Sequence, residues 1–252
     1  MKKIFAIVNH KGGVAKSTST INLGYAISQT GMRTLIIDSD PQANASRGLG
    51  FSVDENQPSI YDLYSDEPTD YELKDIIQKT EYENLWIIPS NITLARVEAN
   101  EMTGYEYVIA NLAKQVWEDF DYILIDTPPS LARLTKSAMA GATHMLIPVQ
   151  CEFFALLGVS EIMKTLQVIQ KKLNPHLNLG GSFITMLDSR SKYVQATIEG
   201  VRNYFKTKAY NTMIPRTIRI TESQENAKPV QIYEPNHNVS QAYNELAKEV
   251  IA

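Results

Sequence analysis

His10-Lys11-Gly12-Gly13-Val14-Ala15-Lys16-Ser17-Thr18 is the stretch whose reading decides the fold. Lys3–Asn9 before it reads as a strand, and a helical period begins at Ser17. The adjacent glycines make a tight turn whose backbone N–H groups line up around an anion. The helix start adds its dipole and its unpaired N–H groups on the same side. Lys16 lies where it reaches the β- and γ-phosphates of a nucleotide, and the Ser17 hydroxyl is placed for Mg²⁺. The ordinary pattern G-x-x-x-x-G-K-[ST] has His10 and Ala15 at its two glycine positions. The stretch therefore meets the physical requirements of a phosphate loop without matching the motif literally. A plain strand–turn–helix corner with solvated lysines is the competing reading.

Outward from this loop, short apolar runs alternate with longer segments of helical period. Ile4–Val8, Thr34–Ile37, Leu85–Ile88, Tyr122–Ile125, Met145–Val149 and Gly181–Thr185 read as strands buried on both faces, as in a parallel sheet. Helical patterns fall at Ser17–Gln29, Gly104–Trp117, Leu131–Ala140, Val159–Leu173, Tyr193–Phe205 and Val239–Val250. The alternation predicts a doubly wound α/β fold, mostly parallel, with helices on both faces and ligands at the carboxyl ends of the strands. Val53–Tyr82 is acidic and irregular, and reads as a surface excursion with one or two short helices. No repeat, low-complexity segment or linker interrupts residues 1–252, which read as one domain.

Composition narrows the function classes. With 44% hydrophobic and 21% charged residues the chain is an ordinary globular one. No apolar run approaches the ~18 residues of a membrane span, and Met1-Lys2-Lys3 leads into a strand pattern rather than a signal peptide. A single cysteine, Cys151, fits a reducing cytoplasm and lacks a paired histidine for nucleophilic work; the four histidines have no metal-ligand spacing. A net charge of −4 gives no overall attraction to nucleic acid or anionic lipid, so any such binding needs a local patch.

Three acids stand at the predicted carboxyl ends of two core strands. Thr34–Ile37 runs into Asp38-Ser39-Asp40-Pro41-Gln42, and Tyr122–Ile125 into Asp126-Thr127-Pro128-Pro129. An aspartate in such a place commonly caps the following turn. Three of them beside a phosphate loop point instead to Mg²⁺ held through its water shell, or to an oriented attacking water.

Lys11, five residues before Lys16, sharpens the reading. Lys-Gly-Gly-Val-x-Lys-[Ser/Thr]-Thr is the deviant Walker A signature, and the chain here resembles the ParA/MinD family of P-loop ATPases. Asp-x-Asp-Pro-Gln and Asp-Thr-Pro-Pro extend the resemblance, as do Pro148–Leu156, Thr185–Arg190, Ile214–Arg219 and Lys228-Pro229. The closest likeness is to the short Soj-like branch that partitions chromosomes and plasmids, and it is weakest over Val53–Tyr82. The resemblance implies that Gly12, Gly13, Val14, Ala15, Lys16, Ser17 and Thr18 cradle ATP, with Met186, Pro215 and Arg216 at the adenine. It implies that Lys11 reaches across a homodimer to the partner's nucleotide, that Asp40 positions or activates water, and that Asp126 is the Walker B carboxylate with Asp38 supporting the Mg²⁺ shell beside Ser17. Lys11, Lys16 and Asp40 would carry catalysis. Departures are Ala15 for the usual glycine, Leu157 for a common glutamate, and Gln224–Ala227 where the family reads Pro-Ser-[Phe/His]-Gly.

A charge asymmetry supplies the patch. Met186–Arg219 holds Arg190, Lys192, Arg202, Lys206, Lys208, Arg216 and Arg219 against only Asp188 and Glu199. Such a face binds the phosphate backbone without reading bases, although scattered lysines on a solvated helix give the same count. Arg190, Lys192 and Arg219 fall where the resemblance implies non-specific contact with double-stranded DNA. The resulting expectation is a cytoplasmic, nucleoid-associated, ATP-switched partitioning protein whose slow hydrolysis a ParB-like centromere-binding partner stimulates. Rival readings are a MinD-like membrane-cycling ATPase, a positioning ATPase for a protein cargo, and a nucleotide-dependent DNA scaffold with negligible turnover. The last segment, Val239–Ala252, has one lysine against two glutamates and reads as a helix packed on its own domain rather than on a membrane.

Overall fold

The computed structural model describes the 252-residue chain except for residues 1, 53, 66–70, 100, 101, 153, 154 and 189–193, and describes only the backbone of 155–157. Eight strands form one sheet: β1 (Lys3–Ile7), β2 (Thr34–Asp38), β3 (Gln78–Lys79), β4 (Leu85–Ile88), β5 (Tyr122–Asp126), β6 (His144–Gln150), β7 (Asn178–Leu187) and β8 (Ala209–Pro215). Their order is β3-β4-β2-β5-β1-β6-β7-β8. Every pairing is parallel except the short edge pair of β3 with β4. The expected doubly wound α/β architecture is therefore present.

The central strands are continuous apolar runs because helices cover both faces. Ala6, Ile37, Ile125 and Ile147 point into one core layer, and Phe5, Ile7, Leu124 and Leu146 into the other. The helix Asn238–Ile251 lays Val239, Tyr243, Leu246 and Val250 into the second layer, the i, i+4, i+7, i+11 stripe of an amphipathic helix on its own domain. Connections leave β1 toward one edge of the sheet and β6 toward the other, so a crevice opens at their carboxyl ends, where ligands bind in this architecture.

Two expectations need correction. The sequence reading missed β3 and β8. The first is two residues long, and the second is an edge strand whose Asn211 and Thr212 break the apolar run. The segment Val53–Tyr82 is not simply a surface excursion. Its two short helices, Tyr61–Tyr64 and Leu73–Ile76, exist as expected, but Ile60, Tyr64 and Ile76 are buried in the main core layer.

Candidate active site

Two hydrogen bonds tie the phosphate loop to the sheet, and a third within the loop shapes its turn. Asn9 Nδ2 donates to Pro148 O at 2.8 Å, and Asn9 Oδ1 accepts from Lys11 N at 3.0 Å, which turns the chain sharply off β1. Thr185 Oγ1 on β7 donates to Val14 O at 3.2 Å. Val14 is itself buried, so its side chain anchors the loop while its backbone shapes the cradle. Gly13 (φ 74°) and Ala15 (φ 65°) both take the left-handed conformation, and Ala15 caps the helix Lys16–Ser28 with no side-chain cap. The first N–H groups of that helix consequently face the cavity rather than a protein acceptor.

Glycine adopts φ > 0 freely, whereas an alanine methyl there costs about 1–2 kcal/mol. Ala15→Gly relieves that strain and gives back about 0.4–1 kcal/mol through the looser unfolded chain. The variant is expected to be more stable than the wild type by roughly 0.5–1 kcal/mol. Urea denaturation without nucleotide checks this, and a destabilised variant would contradict the strain at Ala15.

A cavity of about 1120 Å³ opens over this loop, walled by Gly12, Gly13, Ala15, Lys16, Ser17 and Thr18 on one side and by Met186, Pro215 and Arg216 on another. Its volume suits a nucleoside triphosphate. Met186, Ile214, Pro215 and Ile218 give one end an apolar surface fit for a flat heterocycle. Met186 reaches this wall from an irregular stretch of β7 where the register with β8 shifts and its own φ is 52°. A bulge of this kind re-aims a side chain.

Lys16 is buried, and its Nζ donates to Lys11 O at 3.3 Å. Burial lowers its amine pKa, while Asp126 and Asp40 pull it back up. A buried ammonium between a phosphate loop and two acids is poised for an anion. Lys11 points elsewhere: its Nζ pairs with Glu152, just beyond β6.

The three acids differ from one another. Register places Asp38 opposite Asp126 on neighbouring strands, and both are fully buried beneath the cavity wall. Asp38 is occupied. Its Oδ2 accepts from Ser46 N at 2.8 Å and from Ser46 Oγ at 2.7 Å, and its Oδ1 accepts from Asp40 N at 3.2 Å. Burial pushes its pKa up to about 6 against those hydrogen bonds. Asp126 Oδ1 lies 3.3 Å from Thr20 Oγ1, whose one proton it shares with Lys16 O at 3.1 Å, and Ser17 stands beside this carboxylate. Asp126 Oδ2 is buried with no hydrogen-bond partner, and burial, then the neighbouring Asp38, raises this acid well above the usual carboxylate range. An orphaned carboxylate oxygen beside a cavity-lining serine fits a hard cation with oxygen ligands. Asp40, nearly buried, lines the cavity and accepts from Gln42 N at 2.9 Å. Among the described residues no three His, Cys, Asp or Glu side chains converge as a self-sufficient metal cage, so a cation here would share its ligands with phosphate and water.

Of the proposed DNA contacts, Arg190 and Lys192 lie outside the described residues. Arg219 pairs with Glu222 at 2.8 Å and with Glu234 at 3.9 Å. Arg202, Lys206 and Lys208 are exposed. Half-buried Cys151 has its thiol pKa raised by burial, which disfavours the reactive thiolate. Sequence reasoning missed Asn44 and Arg47, and named Gln224 only as a departure from the family pattern; all three also line the cavity. They sit on the helices Asn44–Gly48 and Arg219–Glu225, each too short to display a period.

Comparison with known proteins agrees with this geometry. Residues 2–179 match the sequence-family model described as an AAA domain. The whole chain is 41% identical to the sporulation initiation inhibitor protein Soj of Bacillus subtilis, covering 99% of that protein. It is 37% identical to the chromosome-partitioning ATPase Soj of Treponema pallidum, over 100% of this chain and 98% of that one. Among solved structures it is similar to cobyrinic acid a,c-diamide synthase from Mycobacterium smegmatis with bound ADP and magnesium. The TM-score is 0.84 at 30% identity, with 98% of this chain and 93% of that chain covered.

Proposed function

The chain belongs to the Soj/ParA family of chromosome-partitioning ATPases, and on that premise we propose an ATP-switched DNA-partitioning cycle for it. ATP binds with Mg²⁺ in the cavity over Gly12–Thr18 and closes a homodimer. The dimer binds double-stranded DNA without reading its sequence, and a ParB-like partner stimulates hydrolysis and release. The observation that carries this reading is the convergence of three features on one cavity: an uncapped helix N-terminus, the buried Lys16, and the acid Asp40, with Asp126 buried beside Lys16.

The roles follow from the chemistry of each group. Backbone N–H groups around Gly13–Ser17 and the Lys16 ammonium take up phosphate charge. Ser17 and Asp126 would hold Mg²⁺, which when bound neutralises charge on the phosphoryl oxygens. Asp38 braces the turn that carries Asp40, and Asp40 accepts a hydrogen bond from the attacking water. Attack in line on the γ-phosphate then needs no covalent enzyme intermediate. Lys11 leaves Glu152 to reach the partner's nucleotide, so dimer closure exchanges a carboxylate for a phosphate.

The basic stretch Met186–Arg219 is the proposed DNA face. Arg219 stands between Glu222 and Glu234, so Arg219→Glu would place three carboxylates together. The variant is expected to elute earlier from a DNA column in ATP, with its salt slope reduced by about 1, while binding nucleotide normally. Unchanged retention would move the DNA face elsewhere. A membrane-cycling role finds less support. The apolar face of Asn238–Ile251 is buried against the sheet, and among the described residues no helix is long and apolar enough to cross a membrane. ATP-dependent sedimentation with anionic vesicles would overturn this choice.

A further inference from the structure

We propose that Gln224 is a positioning residue of the nucleotide site: its side-chain amide fixes the Thr18 hydroxyl so that the hydroxyl's one proton is donated into the cavity, to a bound phosphate. The inference rests on the reading of this cavity as a nucleotide site.

Gln224 Nε2 donates to Thr18 Oγ1 at 3.0 Å across 206 residues of sequence, and both residues line the cavity. A threonine hydroxyl has one donor and two acceptor sites. The amide occupies an acceptor site and leaves the proton to be placed. The usual partner inside a helix is the carbonyl four residues back, as in Thr20, whose Oγ1 donates to Lys16 O at 3.1 Å. For Thr18 that carbonyl is Val14 O, which lies before the helix and its cap Ala15, outside helical register, and accepts from Thr185 Oγ1 at 3.2 Å. No hydrogen bond given by the Thr18 hydroxyl is found among the described residues. Thr18 also lies in the first turn of Lys16–Ser28, so its backbone N–H is one of the open donors. An anion at that helix start meets both donors of a single residue, and an accepted hydrogen bond polarises the O–H that faces it.

The Gln224 side chain is held in place by a built scaffold. The helix Arg219–Glu225 ends in a Schellman cap: Lys228 N donates to Ser223 O and Ala227 N to Gln224 O, both at 3.0 Å. Ala227 takes the left-handed conformation that this cap requires, with φ 52°. One turn along the phosphate-loop helix, Asn22 Oδ1 accepts from Val230 N at 2.7 Å, and Gln231 Nε2 donates to Asn22 O at 2.8 Å. Residues 18 and 22 share one helix face. The segment 224–231 is thereby stitched along that face, with Gln224 at its phosphate end.

The test titrates the full chain, with Mg²⁺, against a fluorescent ADP analogue, and records the ligand-free thermal midpoint of each variant. Gln224→Glu supplies a carboxylate that only accepts. It draws the Thr18 proton away from the cavity and adds a negative charge, so affinity is expected to fall more than about tenfold. Gln224→Met removes the bond without adding charge, and affinity should fall roughly two- to tenfold with an unchanged ligand-free midpoint. In the Thr18→Val background, adding Gln224→Met should change affinity less than about twofold, because the hydroxyl it orients is gone. Wild-type affinity in both single variants overturns the proposal while leaving the nucleotide reading intact. So does a Gln224→Met loss equally large with and without the Thr18 hydroxyl, since a purely structural role predicts that result. Absence of saturable binding in the wild type overturns the nucleotide reading, and the proposal with it.

Discussion

Lys16→Ala is expected to weaken Mg·ATP binding by a factor on the order of a hundred or more, from loss of charge-assisted hydrogen bonds worth about 1.5–3 kcal/mol each. The wild-type ammonium is buried between the phosphate loop and two acids, with its pKa lowered by that burial. Such a group gains more from an arriving anion than an exposed lysine would, because water screens it less. The substitution also leaves Asp126 and Asp40 without their nearest cation, so the repulsion between those acids and phosphate is no longer offset. Calorimetric titration reads the effect directly, with circular dichroism as the folding control. Affinity within about fivefold of the wild type would show that phosphate is not bound at the start of Lys16–Ser28.

Asp40→Ala separates binding from turnover. Asp40 lines the cavity at the end of the β2 turn, held by the Gln42 N–H and by the brace that Asp38 forms with Asp40 N and Ser46. In the proposed cycle its removal deletes the acceptor for the attacking water while leaving the phosphate loop untouched. Loss of a positioned base or orienting group slows turnover by roughly 10²–10⁴-fold. ATP affinity is expected to stay within a few-fold of the wild type, and the variant should remain on DNA after ATP is added. Wild-type phosphate release from Asp40→Ala would remove that residue from the chemistry.

Much of the fold, and the place of the phosphate loop in it, is legible in the sequence for a simple reason. Strands buried on both faces must be apolar throughout, so β1, β2, β4, β5, β6 and the middle of β7 stand out as runs. Strand ends carrying Asp38, Asp40 and Asp126 stand out as breaks in those runs. The edge strand β8 is half-exposed and mixes polar with apolar residues, so it carries no comparable signal. Asp38 and Asp126 look alike as sequence. Their difference is tertiary: Ser46 closes one carboxylate, and the other keeps an unpartnered oxygen.

The same holds for backbone strain. An alanine at the position where the family motif has glycine suggests a left-handed residue at Ala15, and the structure has φ 65° there. Ala43 (φ 53°) and Met186 (φ 52°) carry no such cue, because surrounding contacts impose the conformation on residues that do not favour it. Arg47 and Gln224 were out of reach for a related reason. Each sits among other polar residues on a short helix, and only the folding of distant segments over the phosphate loop brings it to the cavity.

The central claim is a DNA-binding switch set by nucleotide. Its most direct measurement is retention of the wild-type protein on non-specific double-stranded DNA at one fixed salt concentration, with ATP, with ADP and with no nucleotide. Retention with ATP, and release with ADP or without nucleotide, is the predicted result. Equal retention in all three conditions, or none in any, would contradict it.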